Sequence, residues 1–366
     1  TNVKTSNLGT ELKKKVGQNK NLIINGAMLV AQRGTSSTSA GYQTVDRIKV
    51  GLGGNDEAPT VGQVDVASGT TPYTLGFRKE FKITNGNQTG GAGAGDVIEF
   101  HTRLEGQDIA NSGWNYKSTS SFVTLSFWIK SSVAQTFPGY LHTQSNPEYI
   151  FPFETGSLVA DTWTKITKTI PGNSNLVFDN DNGFGLKVAI TAFRGTNFTD
   201  NSVTYDAWAA YDSGTRSKDQ QQTWYTTDSA TLECTGIQLE VGSVATDFEH
   251  RSFGDELLKC QRYYQEVRGC AITAASTTAA RFNCPLFCEM RAEPSVGKGG
   301  SGNINIGDMV SVGSNTSSTP GSDGYSGDRL MMSTQVGGFS GLTQYRQYCH
   351  ELTADKLGLI ACDAEL

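Results

Sequence analysis

Three kinds of side chain could do chemistry in this 366-residue chain: aromatic rings in polar surroundings, carboxylate pairs, and a scatter of histidines and cysteines. Trp114 and Tyr116 stand among Asn111, Ser112, Gly113 and Asn115, and Trp208, Tyr211, Trp224 and Tyr225 also lie in polar segments. Exposed indole and phenol rings stack on the apolar C–H faces of sugars while neighbouring amides and hydroxyls bind sugar hydroxyls, and loops are where such rings most often serve binding. Trp114, Tyr116, Trp208, Tyr211 and Trp224 are therefore the candidate ligand-binding residues. Sealing a sandwich edge or a subunit contact is the competing role for the same rings. Trp128 and Trp163 fall in strand-like segments and are assigned to the core.

Hydrolysis needs an activated nucleophile or a pair of carboxylates. No Gly-x-Ser-x-Gly elbow occurs, and His101, His142, His250 and His350 stand without a motif around them. Glu99 with Asp108, or Asp179 with Asp181, would be the glycosidase-type pairs, but strand faces and turns account for them more simply. The chain is expected not to be an enzyme. Cys284 and Cys288 are four apart with Cys270 upstream, and no second pair stands at zinc spacing. Asp179-Asn-Asp-Asn-Gly183 begins like a calcium loop, yet its glycine comes one position early and Ile190 occupies the place of the bidentate acid. A turn is expected there, with structural calcium the one cofactor left open. Seven cysteines without a repeated spacing predict free, buried thiols in a reducing compartment.

Elements must position these residues, and composition limits which. Net charge is −6, from 30 Lys+Arg and 36 Asp+Glu, which argues against a nucleic-acid partner. No apolar run approaches the roughly 20 residues that span a bilayer, and the first residues lack the order of a signal peptide; a soluble chain is expected. The 42 glycines and a charged fraction of 18% favour loops and strands over long helices. Leu8, Leu12 and Val16 recur every four positions, so 1–20 reads as a short helical arm that needs a partner. From 21 the apolar period becomes two. Leu75, Phe77, Phe81 and Ile83 share a parity, as do Ile98, Phe100 and Leu104; Val123, Leu125, Phe127 and Ile129; Phe184, Leu186, Val188 and Ile190; and Ile237, Leu239 and Val241. One-sided strands joined by turns bury their faces only against a second sheet, which predicts an antiparallel jelly-roll β-sandwich over 21–251. Ser252 and Asp255 cap a connecting helix over 252–266 that carries Tyr263 and Tyr264. A smaller β domain follows over 267–366, interrupted by a Gly/Ser-rich loop at 297–327.

Certain combinations are recognisable. Asn21-Leu-Ile-Ile-Asn-Gly-Ala-Met28, Ala31-Gln-Arg-Gly34, Gly41-Tyr42 and Val45-Asp46-Arg47 lead into Ser126-Phe-Trp-Ile-Lys130 and Thr162-Trp-Thr-Lys-Ile166. Gly236-Ile-Gln-Leu-Glu-Val-Gly242, Phe248-Glu-His-Arg251, Lys259-Cys-Gln-Arg-Tyr-Tyr264 and the terminal Asp363-Ala-Glu-Leu366 complete the set. Together they resemble bacteriophage tail-fibre and related virion proteins. The resemblance implies a sandwich similar to carbohydrate-binding modules, a C-terminal tip and a homotrimer. It also implies a location on the virion after synthesis in the bacterial host cytoplasm, contact with other virion proteins through 1–20, and attachment to a host surface glycan, with no nucleic-acid or membrane partner. A purely structural head fibre or capsid decoration is the alternative, and a glycan hydrolase the third.

Overall fold

The computed structural model describes residues 20–267, 270–299, 304–308, 314–316, 320–321, 329–350 and 359–366; the expected arm, with Leu8, Leu12 and Val16, lies outside them. The chain divides into two units, one ending at Ser252 and the other covering Phe253–Glu365.

In the first unit the strands are, in chain order, β1 (Ser36–Ser37), β2 (Lys49–Gly53), β3 (Thr60–Asp65), β4 (Lys79–Thr84), β5 (Val97–Glu105), β6 (Phe122–Ser131), β7 (Thr136–Thr143), β8 (Tyr149–Ser157), β9 (Thr164–Pro171), β10 (Phe184–Arg194), β11 (Ala209–Ala210) and β12 (Thr231–Val241). Sheet one has the order β1-β3-β4-β12-β6-β9 and sheet two the order β11-β8-β7-β10-β5-β2. Their strand pairings are antiparallel, and the two sheets form a jelly-roll sandwich. Alternation explains the packing. Val123, Leu125, Phe127 and Ile129 of β6 are all fully buried, and Leu125 faces Leu239 while Phe127 faces Ile166 in register. Ile98, Phe100 and Leu104 of β5 and Leu186, Val188 and Ile190 of β10 supply the opposing layer of the same core.

One expected element of this unit is different in the structure. The parity run 74–84 is not one strand: a helical turn, α1 (Thr71–Thr74), precedes it and pairing starts only at Lys79. Phe81 and Ile83 enter the core, while Leu75 is half exposed and Phe77 packs elsewhere. Among the described residues this unit also has the short helices α2 (Gly106–Ala110) and α3 (Thr223–Thr226) and a 3-10 turn at Thr196–Phe198.

The second unit opens with α4 (Phe253–Gln261), which has Asp255 and Glu256 in its first turn, where the helix dipole favours negative charge. The helix is shorter than expected. Tyr264 begins a strand, opposite Asp363, so it and Tyr263 lie beyond the helix. A three-stranded sheet pairs Tyr264–Val267 and Ser295–Gly299 with Leu359–Asp363, and a larger sheet is built around Ala271–Ala274, Ala280–Pro285 and Met331–Val336. Strands at Ser295–Gly299 and Ile304–Gly307 occupy part of the expected 297–327 loop. The expectation of seven free thiols is also corrected. Cys270 and Cys284 form a disulfide because the hairpin register sets Ala271 opposite Asn283, bringing the two flanking cysteines together; Cys234, Cys260, Cys288, Cys349 and Cys362 are free.

Candidate functional site

The even-numbered residues of β6 turn away from the core, placing Ser126, Trp128 and Lys130 on the outer face of sheet one. Trp128 has Thr235 of β12 beside it on one side and Lys165 of β9 on the other. Next to Thr235 the register between β12 and β6 slips, and Gly236 takes a φ of +66°. A Cβ at Gly236 would stand 2.6 Å from the Phe77 ring. Glycine alone satisfies both the left-handed backbone and the close ring. Phe77 is therefore drawn onto the outer face, 2% exposed, in a small cluster with Ala27 and Val66 against which Trp128 and Phe248 pack.

Phe248 and His250 close the arrangement. Ring centroids lie 4.9 Å apart for Phe77–Phe248 and 5.0 Å apart for both Phe77–His250 and Phe248–His250. His250 Nε2 donates to the Leu75 carbonyl at 2.9 Å, which assigns the proton to that nitrogen. Gly76, at φ +99°, leaves room for the imidazole, since a Cβ there would lie 3.2 Å from it. The result is a cleft of about 540 Å³ with Phe77 and Gly236 beneath, Trp128, Phe248 and His250 alongside, and Ser126, Lys165 and Asp247 supplying polar groups. Aromatic surface beside a few convergent polar groups suits a ligand with an apolar face and hydroxyl edges.

The motifs that stand out in the sequence build this region. Asn21 Nδ2 donates to the Ile237 carbonyl at 3.1 Å, the Leu239 amide donates to Asn21 Oδ1 at 3.1 Å, and the Asn21 amide donates to Glu249 Oε2 at 2.8 Å. Arg251 pairs with Glu249 at 3.0 Å and donates to the carbonyls of Asn21 and Ile23. Asn25 Nδ2 donates to the carbonyls of Val30 and Asp46. Residues 21–26 and 237–251 are thus one clasp that fixes the edge of the cleft.

Sheet two carries a different cluster on its outer face. Glu99 receives Tyr140 Oη at 2.9 and 3.1 Å, lies 3.1 Å from both Lys187 Nζ and His101 Nδ1, and pairs with Arg194. Burial, aided by Lys187 and Arg103, holds the His101 imidazole well below its usual range. Burial, then the charges of Arg216 and Arg103, pull Lys187 down to about 7 despite the adjacent carboxylate. His142 is pulled to about 4 by burial, against the hydrogen bond its Nε2 donates to Glu148 Oε2 at 2.7 Å. Glu99 is committed to four neighbours, while Asp108 belongs to α2; Asp181 Oδ1 accepts the Gly183 amide at 2.9 Å in a turn. Among the described residues no group of three or more His, Cys, Asp or Glu is placed to hold a metal ion.

The aromatic candidates do not gather at one site. Trp114, 3% exposed, and Trp224, 0% exposed, belong to the core, which corrects their expected role, since a buried ring has no face to offer a sugar. Their indole N–H groups donate to the carbonyls of Ser121 and Thr231. Tyr116 is half-buried edge-on to Phe178, and Trp208 packs on Phe151 while donating to the Pro171 carbonyl at 2.7 Å. Tyr211 stacks on His142 with centroids 3.9 Å apart and accepts from Arg216. The cleft instead uses Trp128, expected in the core and found half-buried on the outer face. Trp163 is likewise outside the core, with the Lys130 ammonium 5.2 Å from its ring centroid.

No protein family matches the chain, and no curated protein matches its sequence. Solved structures similar to it include the enzymatically active domain of tailspike protein 4 of bacteriophage CBA120, at 9% identity and TM-score 0.33, covering 61% of this chain and 22% of that one. A putative sugar binding protein from Bacteroides thetaiotaomicron matches at 12% identity and TM-score 0.32, covering 61% of this chain and 100% of that one. A family 11 carbohydrate-binding module from Clostridium thermocellum, in complex with a mixed-linked tetrasaccharide, matches at 11% identity and TM-score 0.26, covering 58% of this chain and 98% of that one. The chain spans about a fifth of the tailspike's length. At these scores the matches carry no weight for ligand or activity, and the sandwich stands on its own strand order.

Proposed function

We propose that this chain is a host-attachment protein of a bacteriophage particle, a tail fibre or appendage, that holds a surface glycan without cleaving it. The observation that carries the binding half is the cleft on sheet one. Its volume of about 540 Å³ falls within the roughly 300–1,000 Å³ typical of small-molecule sites. Trp128 and Phe248 offer ring surface for the C–H face of a sugar, and Ser126, Lys165 and Asp247 offer donors and acceptors for its hydroxyls. The virion half rests on the clasp sequences Asn21–Met28 and Gly236–Arg251, which resemble tail-fibre proteins. In this reading the protein is a homotrimer on the virion, made in the bacterial host cytoplasm, with 1–20 contacting other virion proteins and no cofactor required. Three weak sites per trimer gain avidity of about 10²–10⁴ without a strong single contact.

Two measurements test the halves separately. Electrophoresis through gels holding host surface polysaccharide should retard the wild-type chain and not the Trp128→Ala variant; equal mobility of both with and without polysaccharide refutes glycan binding. Electron microscopy of source particles labelled with antibody against residues 268–366 should mark the tail or its appendages. Label spread over the capsid supports a head fibre or decoration protein instead.

A further inference from the structure

The cleft uses one face of the sandwich, and the opposite face carries positive charge that the acids around it do not answer. On the outer face of sheet two, Lys187 of β10 alternates with the core residues Leu186 and Val188 and stands in register between His142 of β7 and Arg103 of β5. Like charges set opposite one another, as Lys187 and Arg103 are, destabilise a sheet. A third cation joins them. Tyr211 stacks on His142 with centroids 3.9 Å apart, and Arg216 donates to the Tyr211 hydroxyl from Nε at 3.1 Å and from Nη2 at 2.8 Å. Burial first, then the charges of Arg216 and Arg103, depress the Lys187 ammonium, so the cations crowd one another here.

The acids nearby are committed elsewhere. Glu99 holds Arg194, Lys187, Tyr140 and His101, and Glu148 takes His142 on Oε2 and Gln144 Nε2, at 2.9 Å, on Oε1. In the loop that carries Arg216, Asp212 Oδ1 accepts the Gly214 amide at 2.7 Å, and Asp219 accepts from Thr199 Oγ1 at 2.6 Å and from Asn201 Nδ2 at 2.8 Å. Arg103 Nη1 donates to the Leu366 carbonyl at 2.7 Å. Arg216 forms no ion pair among the described residues. It is half-buried, with its guanidinium carbon 5.4 Å from the Phe198 ring centroid and 5.8 Å from that of Tyr211, and its Nη1 makes no hydrogen bond yet is not closed off from solvent. The Lys187 side chain is 14% exposed. The position of Arg216 is fixed in advance, because its amide donates to the Phe198 carbonyl at 3.1 Å and Thr199 bridges to Ser217 beside it. Little freedom is lost when a ligand arrives, which favours affinity.

We propose that this face is a second carbohydrate site, one for an acidic sugar, whose carboxylate or phosphate ester pairs with Arg216 beside Lys187 while its ring lies along Tyr211. Nε and Nη2 grip the Tyr211 hydroxyl with one edge of the guanidinium. Nη1 and the second proton of Nη2 make the other fork, the geometry that binds a carboxylate or phosphate through two parallel bonds. A neutral hydroxyl in that place would leave the crowded cations uncompensated, and an inorganic anion would answer the charge without using the ring. The inference rests on the chain binding glycans but not on the cleft, because the two sites share no residue.

NMR titration of the whole chain with methyl glucuronide, glucose 6-phosphate, methyl glucoside and inorganic phosphate tests it, using Arg216→Gln, Arg216→Lys and Trp128→Ala variants whose folding is checked by circular dichroism. At least one of the two acidic sugars should bind tenfold or more tighter than both the glucoside and inorganic phosphate. Arg216→Gln should abolish that margin, Arg216→Lys should keep part of it, and Trp128→Ala should leave it whole. Binding of the glucuronide alone identifies a carboxylate as the group read, and binding of the 6-phosphate alone a phosphate ester; either supports the site. Acidic-sugar binding that Arg216→Gln leaves unchanged overturns it, and inorganic phosphate binding as tightly as the sugars reduces it to an anion site and overturns the carbohydrate half. Glucoside binding lost in Trp128→Ala, with no preference for the acidic sugars, leaves the cleft standing and overturns this site. No sugar bound by any form overturns both.

Discussion

Truncating Trp128 and Trp114 in parallel separates recognition from packing. Trp114 is 3% exposed and lies 6.2 Å, centroid to centroid, from both Tyr116 and Phe178. Removing so enclosed a ring leaves a cavity, and Trp114→Ala should cost about 3–5 kcal/mol of stability. Trp128 is half-buried against the Phe77 cluster, so Trp128→Ala should cost about half as much. Affinity should follow the opposite order. A tryptophan anchoring a ligand contributes on the order of 2 kcal/mol, which is roughly 30-fold in Kd, whereas the buried Trp114 has no face to offer a ligand. Urea denaturation followed by circular dichroism measures the first quantity, and retardation in polysaccharide gels measures the second. A Trp114→Ala protein of wild-type stability that no longer binds would refute the assignment of that ring to packing. A Trp128→Ala protein that binds as tightly as wild type would refute the cleft.

Gly236→Ala should destabilise by about 2–5 kcal/mol, the sum of left-handed backbone strain of about 1–2 and overpacking against Phe77 of about 1–3; an unchanged urea midpoint contradicts the role given to the bulge. Glu80 lies beside Glu233 on the outer face of sheet one. Burial first, and the charge of Glu233 second, hold its carboxyl at about 8, against the opposing pull of Lys130 and Lys82. The unfolded chain releases that proton near about 4.3 while the folded chain keeps it, so this contribution to stability is full below about pH 4.3 and falls as pH rises toward 8. Glu80→Gln should therefore raise the urea midpoint at about pH 9 and flatten its decline from about pH 6; a wild-type pH profile in the variant contradicts this. Alkylation of the denatured chain should add five groups without reductant and seven after reduction, by mass spectrometry. Seven in both conditions removes the Cys270–Cys284 bond.

Much of the sandwich is legible in period two. The odd parity of Val123 to Ile129 identifies β6 and its buried side, and by the same rule it assigns Trp128 to the other side. That inference was available from spacing alone, but the flanking apolar residues make Trp128 look like core. Leu75 and Phe77 share the parity of Phe81 and Ile83 by coincidence. They are placed by α1, a local turn, and by the Gly236 bulge, which lies about 160 residues from Phe77 in sequence. Trp114 and Trp224 sit among polar residues, yet that polarity is local. Ser112 Oγ bonds the Ile109 carbonyl and Gln135 Oε1 accepts the Trp224 amide, which leaves the rings free to close the ends of the core. Cys270 and Cys284 are joined by strand register, which cysteine spacing does not encode.

The clasp between Asn21 and Arg251 has a mechanical consequence. Because the chain enters and leaves the sandwich at the same corner, the twelve strands form a loop hung on a short stem. Tension applied between residues 20 and 252 passes through Asn21, Glu249 and Arg251 and bypasses both sheets. The bonds under load are side-chain contacts and a few amides rather than the long ladders β5–β10 and β6–β12. A pull on the chain would open the stem first and leave the sandwich, with its cleft, folded.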